Sequence, residues 1–120
     1  MTQPNRFQKL VAEAKQRITE ISPGEARAAA ERGEAMLIDV REESEYRGGH
    51  AAGAKHLSKG VLEVEIEEQV PNTDQAIICY CGGGGRSALA ADSLQRMGYT
   101  NVKSLAGGLR AWKQAGLPTL

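Results

Sequence analysis

Cysteine is scarce in this sequence, and its scarcity limits what the thiols can do. Only two cysteines, Cys79 and Cys81, occur among 120 residues, and a single residue separates them. A pair so close together does not make a disulfide framework, which needs several cysteines spread along the chain. Two free thiols fit a reducing compartment, and they indicate reactivity rather than cross-linking.

Net charge and long apolar runs are lacking as well. Fifteen lysines and arginines balance 15 aspartates and glutamates, so the formal net charge at pH 7 is zero. A neutral chain argues against nucleic-acid or membrane-surface partners. No apolar run approaches the ~20 residues of a membrane-spanning helix. The opening residues, MTQPNR, contain no apolar signal-peptide core. We therefore expect a cytoplasmic protein without nucleic-acid or membrane partners.

Short apolar runs alternate with amphipathic segments through most of the chain. This alternation predicts an α/β fold, with a small open parallel β-sheet flanked by helices on both faces. The length of 120 residues suits one domain. We assign residues 18–120 to that domain and residues 1–17 to an N-terminal helical extension. Strands are predicted over 35–40, 54–57, 76–80 and 100–105, and helices over 5–17, 23–33, 41–47, 61–69, 87–97 and 107–116.

The segment from Cys81 to Ser87 carries the residues most suited to chemistry. It reads Cys-Gly-Gly-Gly-Gly-Arg-Ser, directly after a predicted strand and directly before a predicted helix. Ligands of open parallel sheets bind beyond the carboxyl ends of the strands. Glycines let several backbone N–H groups converge on one anion, while the helix N-terminus and Arg86 add positive charge. These features predict that Cys81 is a thiolate nucleophile with a lowered pKa.

Other functions of glycine-rich loops fit this segment poorly. A Walker-type phosphate loop requires Gly-Lys-Ser/Thr after the glycines, where this chain has Arg86 and Ser87. A dinucleotide-binding fingerprint that began at Gly82 would require glycine where Ser87 stands. The cysteines and histidines lack the spacing of metal ligands, so we expect no metal site. A purely structural turn would carry the entropy cost of ordering four glycines.

Four ordered motifs extend the argument beyond this loop. They are Asp39-Val40-Arg41-Glu42 with Glu45-Tyr46 and Gly49-His50; Gly53-Ala54 with His56-Leu57; Tyr80-Cys81-x-x-Gly84-x-Arg86-Ser87; and Gly107-Gly108-Leu109-x-Ala111-Trp112 with Gly116-Leu117-Pro118. Over roughly residues 18–118 the chain thereby resembles the single-domain rhodaneses, a family of sulfurtransferases. The resemblance implies a small α/β fold with a central parallel sheet, and a cysteine persulfide as the intermediate.

The resemblance also implies which residues and substrates take part. Cys81 would be the nucleophile, and no cofactor is expected. The donor would be a small sulfur compound, thiosulfate or a persulfide, and the acceptor a thiol, cyanide or a sulfur-accepting protein. Asp39 and Arg41 form a charge pair that we place at the rim of the site. Substrate binding is assigned to the loop after the nucleophile, namely Gly82, Gly83, Gly84, Gly85, Arg86 and Ser87.

Two alternatives to sulfur transfer remain open on the sequence. Rhodanese-like domains that lose their cysteine serve as non-catalytic binding modules, although this chain retains both Cys81 and Arg86. Phosphatases that resemble this fold, with arsenate reductases as the related possibility, place five residues between cysteine and arginine, whereas this chain has four. One residue fewer removes roughly 3.5 Å of chain. The shorter loop favours a terminal sulfur over a phosphoryl group.

Three side chains have two interpretations each. Cys79 is either a buried strand residue or a resolving thiol that captures the persulfide. His50 is either a structural histidine or a proton donor. Arg86 either clamps the ligand or fastens the loop. Gly83, like the residue before it, lacks the basic or polar side chain of some thiosulfate-using relatives, so we expect weak thiosulfate binding.

Overall fold

The structure, a computed structural model, describes residues 3–120. Within that part of the chain there are five strands: β1 (Thr19–Ile21), β2 (Met36–Asp39), β3 (Lys55–His56), β4 (Ile77–Tyr80) and β5 (Val102–Leu105). They form one open sheet in the order β1-β5-β4-β2-β3, and every pairing is parallel. The predicted parallel sheet is confirmed.

Helices cover both faces of this sheet, as predicted. Leu62 and Leu94, from α4 and α5, pack in one apolar layer, whereas Ala26 and Trp112, from α2 and α6, pack in the other. The helices are α1 (Arg6–Lys15), α2 (Pro23–Glu31), α3 (Glu43–Arg47), α4 (Leu62–Gln69), α5 (Gly85–Arg96) and α6 (Gly108–Gln114), with a 3-10 turn at Lys59–Val61.

Strand β4 lies at the centre of the sheet and leads directly to the candidate nucleophile. All four of its residues are buried. Successive side chains of a strand point to opposite faces. Cys79 accordingly packs in the layer of α4 and α5, and Tyr80 packs in the layer of α2 and α6. Cys81 follows in the first of these layers, at the carboxyl end where open parallel sheets bind their ligands.

The first helix packs outside the sheet, against α5. Asn5 caps it in a capping box with Gln8, whose backbone N–H donates to Asn5 Oδ1 at 2.7 Å. Arg17, beyond the helix, makes a bidentate ion pair with Asp92 of α5, at 3.0 and 2.8 Å. The boundary between an extension over 1–17 and a domain over 18–120 stays a prediction, and Met1 and Thr2 lie outside the described residues.

Strand β1 is the element that the sequence did not predict. It has only three residues and lies at the edge of the sheet beside β5, with Ile21 as its only buried member. Three residues are too few to establish the alternation that identifies a strand. No helix within residues 3–120 has the length and apolar character needed to cross a membrane.

Candidate active site

The sulfur of Cys81 lies inside the loop that follows β4. The residue is 1% exposed. Its Sγ accepts a hydrogen bond from the backbone N–H of Gly84 at 3.1 Å and another from the N–H of Ser87 at 3.4 Å. Ser87 Oγ lies 3.5 Å from the same sulfur. The loop and the first turn of α5 therefore present several donors to one sulfur atom, as the glycine-rich sequence indicates.

These donors change the acidity of the thiol. Burial by itself raises the pKa of Cys81, because it removes water from the charged form. Hydrogen bonds from the side chain and backbone of Ser87 and from the backbone of Gly84 and Gly83 outweigh burial and lower the pKa below its usual value. The direction agrees with the lowering predicted from the sequence, and hydrogen bonds rather than the Arg86 charge are its main cause.

A second serine, which the sequence analysis missed, stands behind Ser87. Ser104 lies on β5 and is completely buried. Its Oγ is 2.8 Å from Ser87 Oγ. When Ser87 accepts the Ser104 proton, its own hydroxyl hydrogen is free to point at the Cys81 sulfur. A lone serine in a strand carries no sequence signal for such a role, because only the strand order brings β5 beside β4.

Arg86 is held in place by a carboxylate from α3. Its two terminal nitrogens donate to the two oxygens of Glu45 at 2.7 and 3.1 Å. The hydrogen bond from Arg86, acting against burial, lowers the pKa of Glu45 to about 2. A Cβ built on Gly82 would lie 3.4 Å from Arg86 Nη2, so the guanidinium also lies against the loop. Arg86 thus fastens the loop, and Glu45 is a partner that the sequence analysis did not assign to it.

Helix α6 supports the loop from the opposite side. The N–H of Leu109 donates to the carbonyl of Cys81 at 2.8 Å, and the N–H of Arg110 donates to that of Gly82 at 3.1 Å. A Cβ at Gly108 would lie only 2.5 Å from the Cys81 carbonyl oxygen, closer than real contacts allow. Only glycine therefore permits α6 to begin this close to Cys81.

Two of the four loop glycines have clear steric reasons to be glycine. Gly84 has a φ of +102°, and a Cβ there would lie 3.3 Å from the N of Gly107. A Cβ at Gly85 would lie 3.2 Å from the ring of Phe7 in α1. Gly83 is less confined, because its Cβ would meet only Arg110 Nη1, at 4.0 Å. Arg110 is thereby a second cation beside the loop, which the sequence analysis did not identify.

Asp39 and Arg41 form the predicted charge pair, in which Asp39 is completely buried and Arg41 is nearly so. Arg41 Nη2 lies 2.7 Å from Asp39 Oδ2 and 2.8 Å from the carbonyl oxygen of Gly49. Tyr80 donates to the same Asp39 oxygen at 2.6 Å. These contacts place the pair in the layer of Tyr80, across the sheet from the Cys81 sulfur. Among residues 3–120 neither side chain hydrogen-bonds to the loop, and their contact with substrate stays a prediction.

The surroundings of two other candidates, Cys79 and His50, indicate structural roles. Burial raises the pKa of the Cys79 thiol to about 12, with a smaller contribution from Cys81, so Cys79 is protonated at neutral pH. His50 contacts the carbonyl of Tyr46 through Nδ1 at 3.0 Å and stacks on its ring. In residues 3–120, no cluster of three or more histidine, cysteine, aspartate or glutamate side chains could hold a metal ion.

Comparisons with known proteins agree on one family. The model of the Rhodanese-like domain matches residues 22–115. The chain covers 60% and 46% of the lengths of two curated relatives, from Bacillus subtilis and Synechocystis, each 38% identical to it. It therefore spans about half the length of these relatives.

Three solved structures are similar to the chain. A Rhodopseudomonas palustris protein of unknown function, a possible tyrosine phosphatase, is 32% identical, with a TM-score of 0.82 over 98% of this chain and 96% of that one. The polysulfide-sulfur transferase homodimer of Wolinella succinogenes is 30% identical, with a TM-score of 0.81 over 95% and 86%. The thiosulfate sulfurtransferase of Pseudomonas aeruginosa is 38% identical, with a TM-score of 0.79 over 86% and 20%.

Proposed function

The chain belongs to the family of rhodanese-like domains, and from that membership we propose that it is a sulfurtransferase that carries sulfur on Cys81. The proposal rests on the hydrogen bonds that surround the sulfur of Cys81. Cys81 Sγ accepts hydrogen bonds from the N–H groups of Gly84 and Ser87, and the pKa of the thiol is lowered although the residue is buried. A buried thiol without such donors would stay protonated and inert.

The proposed cycle has two half-reactions. The Cys81 thiolate attacks the outer sulfur of a donor, forms a sulfur–sulfur bond and expels the rest of the donor, which is sulfite in the case of thiosulfate. The persulfide on Cys81 then passes its outer sulfur to the acceptor. A thiolate acceptor becomes a persulfide and cyanide becomes thiocyanate, and Cys81 leaves as a thiolate in both cases. The cycle needs no oxidant or metal, because the attacking sulfur or carbon supplies each electron pair. It needs no general base, because Cys81 attacks as a thiolate.

Two cations are available for an anionic donor. Arg86 is paired with Glu45, whose carboxylate occupies one side of the guanidinium. About one third of the Arg86 side chain is exposed. Arg110 is exposed and lies close to Gly83. We propose that these cations and the N–H groups of residues 82–87 bind the donor. Thiosulfate and a persulfide or polysulfide are the two donor classes, in keeping with the similar structures of a thiosulfate sulfurtransferase and a polysulfide-sulfur transferase.

A phosphatase is the second candidate, because one similar structure is that of a possible tyrosine phosphatase. The length of the loop weighs against it in this chain. Four residues separate Cys81 from Arg86, whereas the phosphatases that resemble this fold have five. Only a few backbone N–H groups face the sulfur, and the nearest lie 3.1 and 3.4 Å from it. A loop of this length accommodates one extra sulfur on Cys81 more readily than a tetrahedral phosphoryl group.

The intact mass of the protein distinguishes these candidates. The protein is treated with thiosulfate, desalted and weighed, then treated with cyanide and weighed again. We expect the mass to rise by one sulfur and return to its starting value as thiocyanate is released. Cys81→Ser is the matched control and should gain nothing. A chain that gains no sulfur from thiosulfate or polysulfide would be a binding module, and one that instead hydrolyses aryl phosphates would be a phosphatase.

Two further proposals concern the setting of this activity. We propose that residues 18–120 form the sulfurtransferase domain, since the family match covers 22–115. Residues 1–17 would be its N-terminal helical extension. We also propose a cytoplasmic location, because both cysteines are free thiols, as is usual for proteins of a reducing compartment.

A further inference from the structure

An apolar groove of about 650 Å³ adjoins the outer side of the nucleophile loop. One wall is the first helix, where Phe7, Val11 and Ala12 supply the apolar side chains next to the polar Gln8, together with Pro4 just before it. The other wall is the loop itself, at Gly83 and Gly85. These glycines follow Cys81 by two and four residues, so the groove reaches the backbone that surrounds the sulfur.

The contact between α1 and the loop is close but leaves apolar surface uncovered. The Phe7 ring lies 3.2 Å, and Val11 Cγ2 3.4 Å, from the position that a Cβ on Gly85 would occupy. A side chain at position 85 would therefore push the helix away. Phe7 nevertheless stays 48% exposed. One side of its ring thus packs on the loop and the other faces the groove.

The charges around the groove suit an apolar ligand rather than the anionic donor. Among residues 3–120, Lys15 is the only charged residue that lines the groove, and its ammonium group is paired with Glu20 at 3.6 Å. The two cations proposed above to bind the donor, Arg86 and Arg110, do not line the groove. A dianion such as thiosulfate would gain little from it, whereas a hydrocarbon chain would bury apolar surface against Phe7 and Val11.

Accepting the sulfur transfer proposed above, on which this inference rests, we propose that the groove binds the apolar body of a thiol acceptor. Phe7 and Val11 are then specificity-determining residues, and acceptors with a hydrocarbon chain are preferred to small ones. The acceptor lies along α1 with its thiolate towards the loop. Its sulfur attacks the outer sulfur of the Cys81 persulfide, the bond to Cys81 breaks, and the acceptor leaves as a persulfide.

The test uses protein already loaded with one sulfur and measures how fast acceptors remove it. Mercaptoethanol and mercaptohexanol have the same thiol and hydroxyl groups and differ by four methylenes. We expect the second-order rate constant to be about fifteen-fold higher for mercaptohexanol, roughly two-fold for each of the four methylenes, because an open groove buries each methylene only in part. Cyanide, which is too small to use the groove, serves as the reference acceptor.

Three variants test whether the groove causes this preference. Phe7→Ala should reduce the ratio between the two thiols to about two-fold, and the cyanide rate of the same variant measures any general effect on sulfur transfer. Val11→Thr preserves the shape and the packing of the helix, and it should reduce the ratio about two-fold by adding a hydroxyl group. Leu10→Ala is the matched control, because Leu10 is equally exposed at 54% on the same helix but does not line the groove. Its ratio should equal that of the wild type.

Several results would overturn the inference. Equal rates for the two thiols in the wild type, with normal transfer to cyanide, would refute the groove and leave the sulfurtransferase intact. Failure to load, or to give sulfur to cyanide, would instead refute the proposed function. If sedimentation showed a dimer that Phe7→Ala dissociates without altering the ratio, a second copy of the chain would be the occupant.

Discussion

The hydroxyl of Ser104 lies 2.8 Å from the hydroxyl of Ser87, and through this contact β5 is linked to the surroundings of Cys81. Ser87 in turn stands 3.5 Å from Cys81 Sγ, and its backbone N–H stands 3.4 Å from the same atom. Both serines are completely buried. With Ser104 as a donor, the orientation that best satisfies both hydroxyls is the one in which Ser87 donates to a thiolate.

Replacing Ser87 with alanine should make Cys81 less acidic. The variant loses a side-chain donor, and because that donor stabilises the thiolate, the pKa of Cys81 should rise. A charged hydrogen bond at this length contributes about 1 kcal/mol, so alkylation by iodoacetamide near neutral pH should slow about five-fold. Ser93→Ala, on the same helix, is the control and should alkylate like the wild type. Equal rates in both variants would show that backbone donors alone set the acidity.

The pH profile of alkylation should report the lowered pKa directly. Hydrogen bonds overcome the effect of burial, so the inflection should lie below the value of an ordinary cysteine. Because the pKa in the folded state is the lower one, folding favours the thiolate. This contribution to stability is present above the pKa of the unfolded chain and is lost as pH falls through the folded pKa. An inflection at or above the ordinary value would contradict the assignment.

Cys79→Ala should leave sulfur transfer almost unchanged. Burial raises the pKa of Cys79 to about 12, so its thiol does not ionise in the folded protein at neutral pH. The substitution removes one buried sulfur atom and should lower the free energy of unfolding by about 1 kcal/mol. Thiocyanate formation and urea denaturation measure the two effects. A loss of activity as complete as that of Cys81→Ser would establish Cys79 as a resolving thiol.

A matched pair of glycine variants tests the support of the loop by α6. Gly108 and Gly98 both have positive φ, +58° and +101°, but a Cβ at Gly108 would clash with the Cys81 carbonyl and one at Gly98 would meet nothing. Gly98→Ala should therefore show only backbone strain, about 1 kcal/mol in the free energy of unfolding. Gly108→Ala should cost about 3 kcal/mol or more and reduce sulfur transfer at least ten-fold, because α6 must move. Similar behaviour in the two variants would exclude a role for close packing.

Arg110→Ala should weaken the binding of thiosulfate. Removing one exposed cation near the dianion should raise KM several-fold at low salt, about 1 kcal/mol, and the difference should fade as added salt screens the charges. Lys113→Ala, further along α6, is the control for net charge. Gly83→Lys should have the opposite effect, a several-fold lower KM, because φ at Gly83 is not positive and a side chain fits beside Arg110. Salt-independent KM values for all three variants would place donor recognition elsewhere.

The sequence predicted the parts of the fold that have strong local signals. Buried strands such as 76–80 stand out as apolar runs, and the position of Cys81 after one of them predicts a site at the carboxyl edge of the sheet. Strand β1 was missed because its pairing with β5, and not its own three residues, makes it a strand. An edge strand of this length is recognisable only once its neighbour is known.

The partners of the site were harder to predict than its nucleophile. Glu45 reaches Arg86 across 41 residues of sequence, and Ser104 reaches Ser87 across 17. Such contacts depend on the order of strands and on where α3 lies above the sheet, and no local pattern encodes them. The amphipathic pattern of the first helix was recognised, but its packing on Gly85 beside the loop was not.

The dependence of the loop on α6 has a consequence for the timing of synthesis. Leu109 and Arg110 hold the carbonyls of Cys81 and Gly82 from positions that follow them in the sequence. On a ribosome, Cys81 emerges before these residues do. Until α6 has docked, the loop lacks this support. We therefore expect the full reactivity of Cys81 only after the segment that includes Arg110 has been made and folded.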